Sequence, residues 1–226
     1  MNSAQRHKLR KFQKKILKWY ESNGRHDLPW RVENLDTYEI IIAEVLLQRT
    51  KAETIQKIYL DFLKVYPTWD AIIQKGLGAL ETSLIPIGLY RQRSKRLMAL
   101  ALEMKRREGK LPSNKEELSA IPLFGQYIAN AIILQVFKEK RPLLDVNMAR
   151  VLERYFGERK LADIRYDPYL QELAQLVVEH PKSKDINWAI LDFASKICKS
   201  KVPLCLECLL SKDCYYYNNW LSITYE

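Results

Sequence analysis

The chain has 226 residues, 47% of them hydrophobic, with 37 Lys and Arg against 27 Asp and Glu for a formal charge of +10. That length buries a substantial core without staples and leaves room for one or two domains. The positive excess favours a polyanionic partner by Coulomb attraction, and no segment is long and apolar enough to span a bilayer.

The first stretch, MNSAQRHKLRKFQKKILKWYESN, is charged throughout and lacks the apolar run and cleavage site of a secretory signal, so a cytosolic protein is expected. Within it Leu9, Phe12, Ile16 and Tyr20 recur at helical spacing. TYEIIIAEVLLQ, residues 37–48, is a buried helix by composition, and residues 94–108 set a basic face against Leu97, Leu100 and Met104. Ser113 followed by Glu116 reads as a capping box after the Leu111-Pro112 turn. No strand pattern competes, and no repeat, linker or low-complexity run interrupts the chain. The fold class read from these elements is all-α, with any domain boundary made by chain crossing rather than by a tether.

Basic residues cluster at Arg91 to Arg96, at Lys105 to Lys110 and at Lys196, Lys199 and Lys201; singly, each is an ordinary solvated face. His7, His26 and His180 form no ligand cluster, and Gly76-Leu77-Gly78 is too weak a signal for a phosphate loop. The four cysteines, Cys198, Cys205, Cys208 and Cys214, fall in one stretch spaced C-x6-C-x2-C-x5-C. A reducing compartment makes them metal or cluster ligands rather than disulfides, and four thiolates in so short a loop suit a tetrahedral zinc ion or a cubane. Only Cys205 and Cys208 form a C-x2-C knuckle where zinc ribbons use two, so the spacing leans to the cluster.

That spacing resembles the C-terminal four-iron, four-sulfur loop of the endonuclease III branch of the helix-hairpin-helix DNA glycosylases. Further segments match the family in order: LPWR (28–31), AEVLLQRT (43–50), IGLYRQRSKRL (87–97), ELSAIPLFGQYIANAIILQVF (117–137), RPLLDVNMARVLERYFG (141–157) and DFASKIC (192–198). The hairpin departs at one point, because Leu123 stands where the family's Leu-Pro-Gly-x-Gly has its first glycine, while Pro122 and Gly125 are kept. The resemblance implies two helical lobes with an active cleft between them: a six-helix barrel domain with the helix-hairpin-helix at 33–138, inserted in an iron-sulfur cluster domain built from 1–32 and 139–226. A 4Fe-4S cluster on the four cysteines and DNA phosphate contacts at Leu123 and Gly125 are implied with it.

Breaking an N-glycosidic bond builds positive charge on the sugar and negative charge on the base, so a carboxylate and a donor each lower the barrier. On its residues alone Asp145 is a helix N-cap before VNMARVLERYF; the family pattern makes it the catalytic aspartate, and the two roles can coexist. Glu44, ionisable inside an apolar helix, is either paired or functional. It lies one helical step from Gln48, and the resemblance gives Glu44 the flipped base or the water, with Gln48 and Arg49 filling the gap left in the stack. Tyr127 stands where bifunctional relatives carry a lysine, and a phenol forms no Schiff base, so the reaction expected is monofunctional. Leu89, beside Tyr90, is the wedge candidate, and Arg91, Arg93, Lys199 and Lys201 are the phosphate contacts.

Gln48-Arg49-Thr50 and Asp145-Val146-Asn147 differ from the adenine-type Gln-Gln-Thr and Asp-Gly-Asn, and only 12 residues follow Cys214, where adenine enzymes usually add a domain. Excision of thymine or uracil opposite guanine is therefore favoured over excision of adenine opposite oxidised guanine. The alternative of another class is a non-catalytic iron-sulfur DNA-binding regulator. The expected partner is double-stranded DNA with a mismatched or damaged base, with no membrane, for a monomer in the cytoplasm associated with the nucleoid.

Overall fold

A computed structural model describes residues 2–221. The α-helices among the described residues are α1 (Ser3–Asn23), α2 (Thr37–Leu47), α3 (Ala52–Gln56), α4 (Tyr59–Val65), α5 (Trp69–Leu84), α6 (Tyr90–Arg106), α7 (Lys115–Ser119), α8 (Gln126–Gln135), α9 (Val146–Phe156), α10 (Pro168–Val178) and α11 (Ser183–Lys196). No strand occurs among the described residues, so the all-α reading holds. The chain divides into two compact units, Met1–Arg25 with Glu139–Glu226, and His26–Lys138.

In the first unit α11 packs against α1, α9 and α10. The four apolar positions at helical spacing in α1 point inward: Phe12 and Ile16 are fully buried, with Leu9 and Tyr20 nearly so. Phe12 meets Tyr155 and Phe156 of α9 at 5.0 and 5.3 Å between ring centroids, and Trp19 stands edge-on to Phe193 of α11 at 5.1 Å. Such ring pairs add roughly 0.5–1.5 kcal/mol each beyond their area burial. Two ends of the sequence thus share one core.

In the second unit α5 packs along α6, and α8 against α2 and α7. Seven consecutive residues of α2, Ile40 to Leu46, are buried. Three adjacent isoleucines disfavour a helix by a few tenths of a kcal/mol each, whereas burying each side chain gains about 1.5–3 kcal/mol, so packing decides. Asp36 closes the N-terminus in a capping box with Glu39.

Two local expectations shift. The cap of α7 is Asn114, whose side chain accepts from the Glu117 amide at 2.7 Å, so the Ser113–Glu116 box is displaced by one residue. Asn is as good an acceptor there as Ser, and starting one residue later leaves Ser113 outside the helix. Helix α6 begins at Tyr90, which draws the Arg91 to Arg96 run into its first two turns.

Candidate active site

In the first unit Asp145 caps α9. Its Oδ1 accepts from the amides of Asn147 and Met148 at 2.9 and 2.8 Å, and its Oδ2 accepts from the Asn147 side-chain amide at 2.6 Å. The chain of bonds continues: Arg150 donates to Asn147 Oδ1 at 3.2 Å, to the Cys198 carbonyl at 2.9 Å and to the Ala194 carbonyl at 3.1 Å. Burial pushes the Asp145 carboxyl above its ordinary range, while the Met148 and Asn147 bonds and the Arg150 charge favour the carboxylate. Capping and catalysis are compatible here, because each carboxylate oxygen has two lone pairs and Oδ2 uses one on Asn147.

In the second unit Glu44 is 5% exposed. Its Oε1 accepts from Gln135 Nε2 of α8 at 2.8 Å, while Oε2 is buried without a hydrogen-bond partner among the described residues. Burial pushes this carboxyl up to about 7, against the Gln135 bond and the Arg31 charge. The helix ends at Leu47; Gln48, still near-helical at φ −55°, turns the chain away after itself at ψ 116°, and its side-chain amide approaches the Leu123 carbonyl at 3.4 Å.

Arg49 follows at φ 55°, exposed. Leu89, 59% exposed, precedes α6 at φ 50°, and Leu123 sits at φ 72°. The hairpin therefore holds a leucine in a left-handed conformation that glycine adopts freely, at a cost of about 1–2 kcal/mol. The amide of Gly125, an exposed residue implied as a phosphate contact, donates back along the hairpin to the Leu123 carbonyl at 2.9 Å, and that of Phe124 to the Ile121 carbonyl at 3.0 Å. Gly125 instead caps α8 with no side chain over its N-terminus. Tyr127, in the first turn of α8, is half-buried against the unit's core.

Arg91, Lys199 and Lys201 are exposed. Arg93 is not a free phosphate contact. Its guanidinium reaches the Gln48 carbonyl and Thr50 Oγ1, both at 2.7 Å, with the Leu46 carbonyl at 3.4 Å, because α2 ends with orphan carbonyls and no basic residue of its own.

The four cysteines are half-buried free thiols on turns between Cys198 and Cys214. Burial raises the Cys205, Cys208 and Cys214 thiols, and the charges of neighbouring cysteines add to each, so the four sulfurs face one another's field. No three His, Cys, Asp or Glu side chains among the described residues are grouped to hold one metal ion. Arg154 of α9 binds the loop through the Lys199 and Ser200 carbonyls at 2.7 and 3.0 Å, with Cys198 Sγ at 3.5 Å.

Sequence reasoning assigned no role to Asn147, Arg150, Arg154 or Gln135. Asn147 and Arg150 were visible in the Asp-x-Asn-x-x-Arg pattern, and Arg150 and Arg154 form an i, i+4 basic pair; nothing local marks Gln135 as the partner of a residue 91 positions away.

A family profile described as HhH-GPD superfamily base excision DNA repair protein matches residues 42–176. The chain is 35% identical to the thymine-DNA glycosylase of Aeropyrum pernix over 94% of this chain and 96% of that one. It is 33% identical to the thymine/uracil-DNA glycosylase of Methanothermobacter thermautotrophicus over 96% and 98%. Among solved structures, a thermostable thymine-DNA glycosylase superimposes with a TM-score of 0.87 at 33% identity, covering 96% of this chain and 99% of that one.

Proposed function

The chain belongs to the HhH-GPD superfamily of base excision DNA repair proteins, and from that membership we infer that it is a monofunctional DNA glycosylase releasing thymine or uracil mispaired with guanine. The observation that carries the substrate class is the similarity to thymine- and thymine/uracil-DNA glycosylases over nearly the full length of each chain.

The target base leaves the duplex first, at a cost of a few kcal/mol that is least at a mismatch. Leu89 and Arg49, both exposed, fill the space behind it. Stretching the bond between sugar C1′ and base N1 builds an oxocarbenium-like sugar, which the Asp145 carboxylate stabilises while accepting a proton from the attacking water. Glu44, whose carboxyl is pushed up to about 7, keeps a substantial neutral fraction at physiological pH. From its unpartnered Oε2 that neutral form donates to a carbonyl oxygen of the departing base. Tyr127 offers no amine, so no Schiff base forms and the products are a free base and an intact strand with an abasic site.

We propose a 4Fe-4S cluster on Cys198, Cys205, Cys208 and Cys214, supported by the donor set: four cysteines spaced C-x6-C-x2-C-x5-C in one loop, with a single C-x2-C knuckle where zinc ribbons use two. When bound, the cluster supplies a cationic core that neutralises the thiolates and fixes the 198–214 loop. Lys199 and Lys201 on that loop meet DNA phosphates.

The test is base release from duplexes carrying G·T, G·U and adenine opposite oxidised guanine, with and without alkali. Strand breakage at T or U only after alkali, lost in Asp145→Asn, is the expected result. Release of adenine alone reassigns the substrate, and release of nothing leaves a DNA-binding protein without catalysis.

A further inference from the structure

Of the six non-glycine residues at positive φ in the second unit, Asn34, Arg49, Leu89, Glu108, Leu123 and Lys138, three are joined by side-chain bonds: Arg49 after α2, Leu89 before α6 and Leu123 in the hairpin. Each such conformation is unfavourable for a side chain and persists only where surrounding contacts over-determine it. Two side chains link these loops. Gln48 reaches the Leu123 carbonyl, and Arg93, four residues beyond Leu89, donates from Nη2 to both the Gln48 carbonyl and Thr50 Oγ1 on either side of Arg49, with Nη1 toward the Leu46 carbonyl. Thr50 Oγ1 is also set to donate to the Gln48 carbonyl at 3.3 Å, which closes the turn on itself.

We propose that Arg93 is a positioning residue that locks the Arg49 turn to the Leu89 loop before DNA arrives, so that the two side chains entering the base stack do so as one rigid element. This rests on the glycosylase reading above. The physical reason is entropic: a loop ordered only on binding charges its ordering against base extrusion, whereas a loop already held does not. A guanidinium is suited to the task because its plane holds Nη2 on the Gln48 carbonyl and Thr50 Oγ1 while aiming Nη1 at the Leu46 carbonyl, and the single nitrogen of an ammonium has no second donor atom to place there. Burial and the neighbouring Arg49 charge both disfavour the Arg93 cation, so its placement in this turn is held by geometry rather than by charge balance.

The consequence separates extrusion from chemistry. Uracil release is measured in single turnover on a G·U duplex and on the same duplex with the uracil as an unpaired single-base bulge, which needs little extrusion. Arg93→Met is expected to slow the paired substrate about 10- to 100-fold, the range for losing hydrogen bonds to a charged group, with a several-fold smaller loss on the bulge. Arg93→Lys should leave the salt dependence of binding unchanged and yet fail to restore the paired-to-bulge ratio. Thr50→Val, which deletes one of the two acceptors on Arg93 Nη2 without removing the cation, should show the same bias more weakly and decides the matter if Arg93→Met unfolds on a thermal melt.

Equal losses on both substrates, or a salt slope lowered by about one in Arg93→Met as for a lost phosphate contact, would overturn the proposal. So would an unchanged rate on the paired duplex. A wild-type protein inactive on both substrates removes the uracil-releasing reading on which the proposal rests, whereas an active wild type with unbiased variants removes only the role given to Arg93.

Discussion

Replacing Glu44 by Gln keeps an oxygen facing Gln135 and removes the titration. In the unfolded chain the carboxyl ionises near 4.5; in the fold burial holds it at about 7. The stability contributed by the protonated form is therefore complete below pH 4.5 and is lost as pH rises through about 7. Between pH 5 and pH 8 the wild type should lose about 2–3 kcal/mol that Glu44→Gln does not lose, from a shift of roughly 2.5 units at 1.36 kcal/mol each. The substituted amide also leaves a buried donor short of a partner, at about 1–3 kcal/mol, but that cost is the same at both pH values and cancels in the difference. Urea unfolding of both proteins at pH 5 and pH 8 reads the quantity directly. Single-turnover base release adds the catalytic side: the wild-type rate should fall as pH rises through about 7, and the variant should be slower and flat over the same range. Stability curves that stay parallel between the two pH values would refute the buried, proton-holding carboxyl. A wild-type rate that climbs through pH 7 would make Glu44 a base acting on water instead of a donor to the departing base.

Two further outcomes follow from the first unit. Asn147→Ala removes the side-chain bond to Asp145 Oδ2 and the relay to Arg150, and should lower the single-turnover rate about 10-fold or more while leaving DNA affinity within about 2-fold, since one hydrogen bond to a charged group is worth about 1.5–3 kcal/mol. Lys199→Ala and Lys201→Ala should each weaken binding similarly on matched and mismatched duplexes and reduce the slope of log K against log salt by about 0.9, as measured by fluorescence anisotropy across a salt series.

The fold class was legible because helical periodicity is a local property. Leu9, Phe12, Ile16 and Tyr20 announce one buried face, and the apolar run of α2, interrupted by Glu44, announces a helix enclosed on all sides. The cysteine spacing and the hairpin sequence were equally readable, since both depend on neighbours along the chain. Charge type was readable too, but not its use. Arg91 and Arg93 look alike in RQRSKR, yet the first is exposed and the second is tied across the end of α2.

What tertiary structure decided were the partnerships between distant segments. Gln135 reaches Glu44 across 91 positions, and Arg150 reaches Cys198 across 48, because helices far apart in sequence are brought into register by the cores they share. Backbone strain belongs to the same category. The sequence shows a leucine at 123 in place of a glycine, but only the folded hairpin shows that this leucine is left-handed and that the Gly125 amide closes onto the Leu123 carbonyl. Residue types set which chemistry is available to this chain, while desolvation and the donors aimed at each group set its protonation and its freedom. Those are properties of the surroundings, which no local pattern encodes.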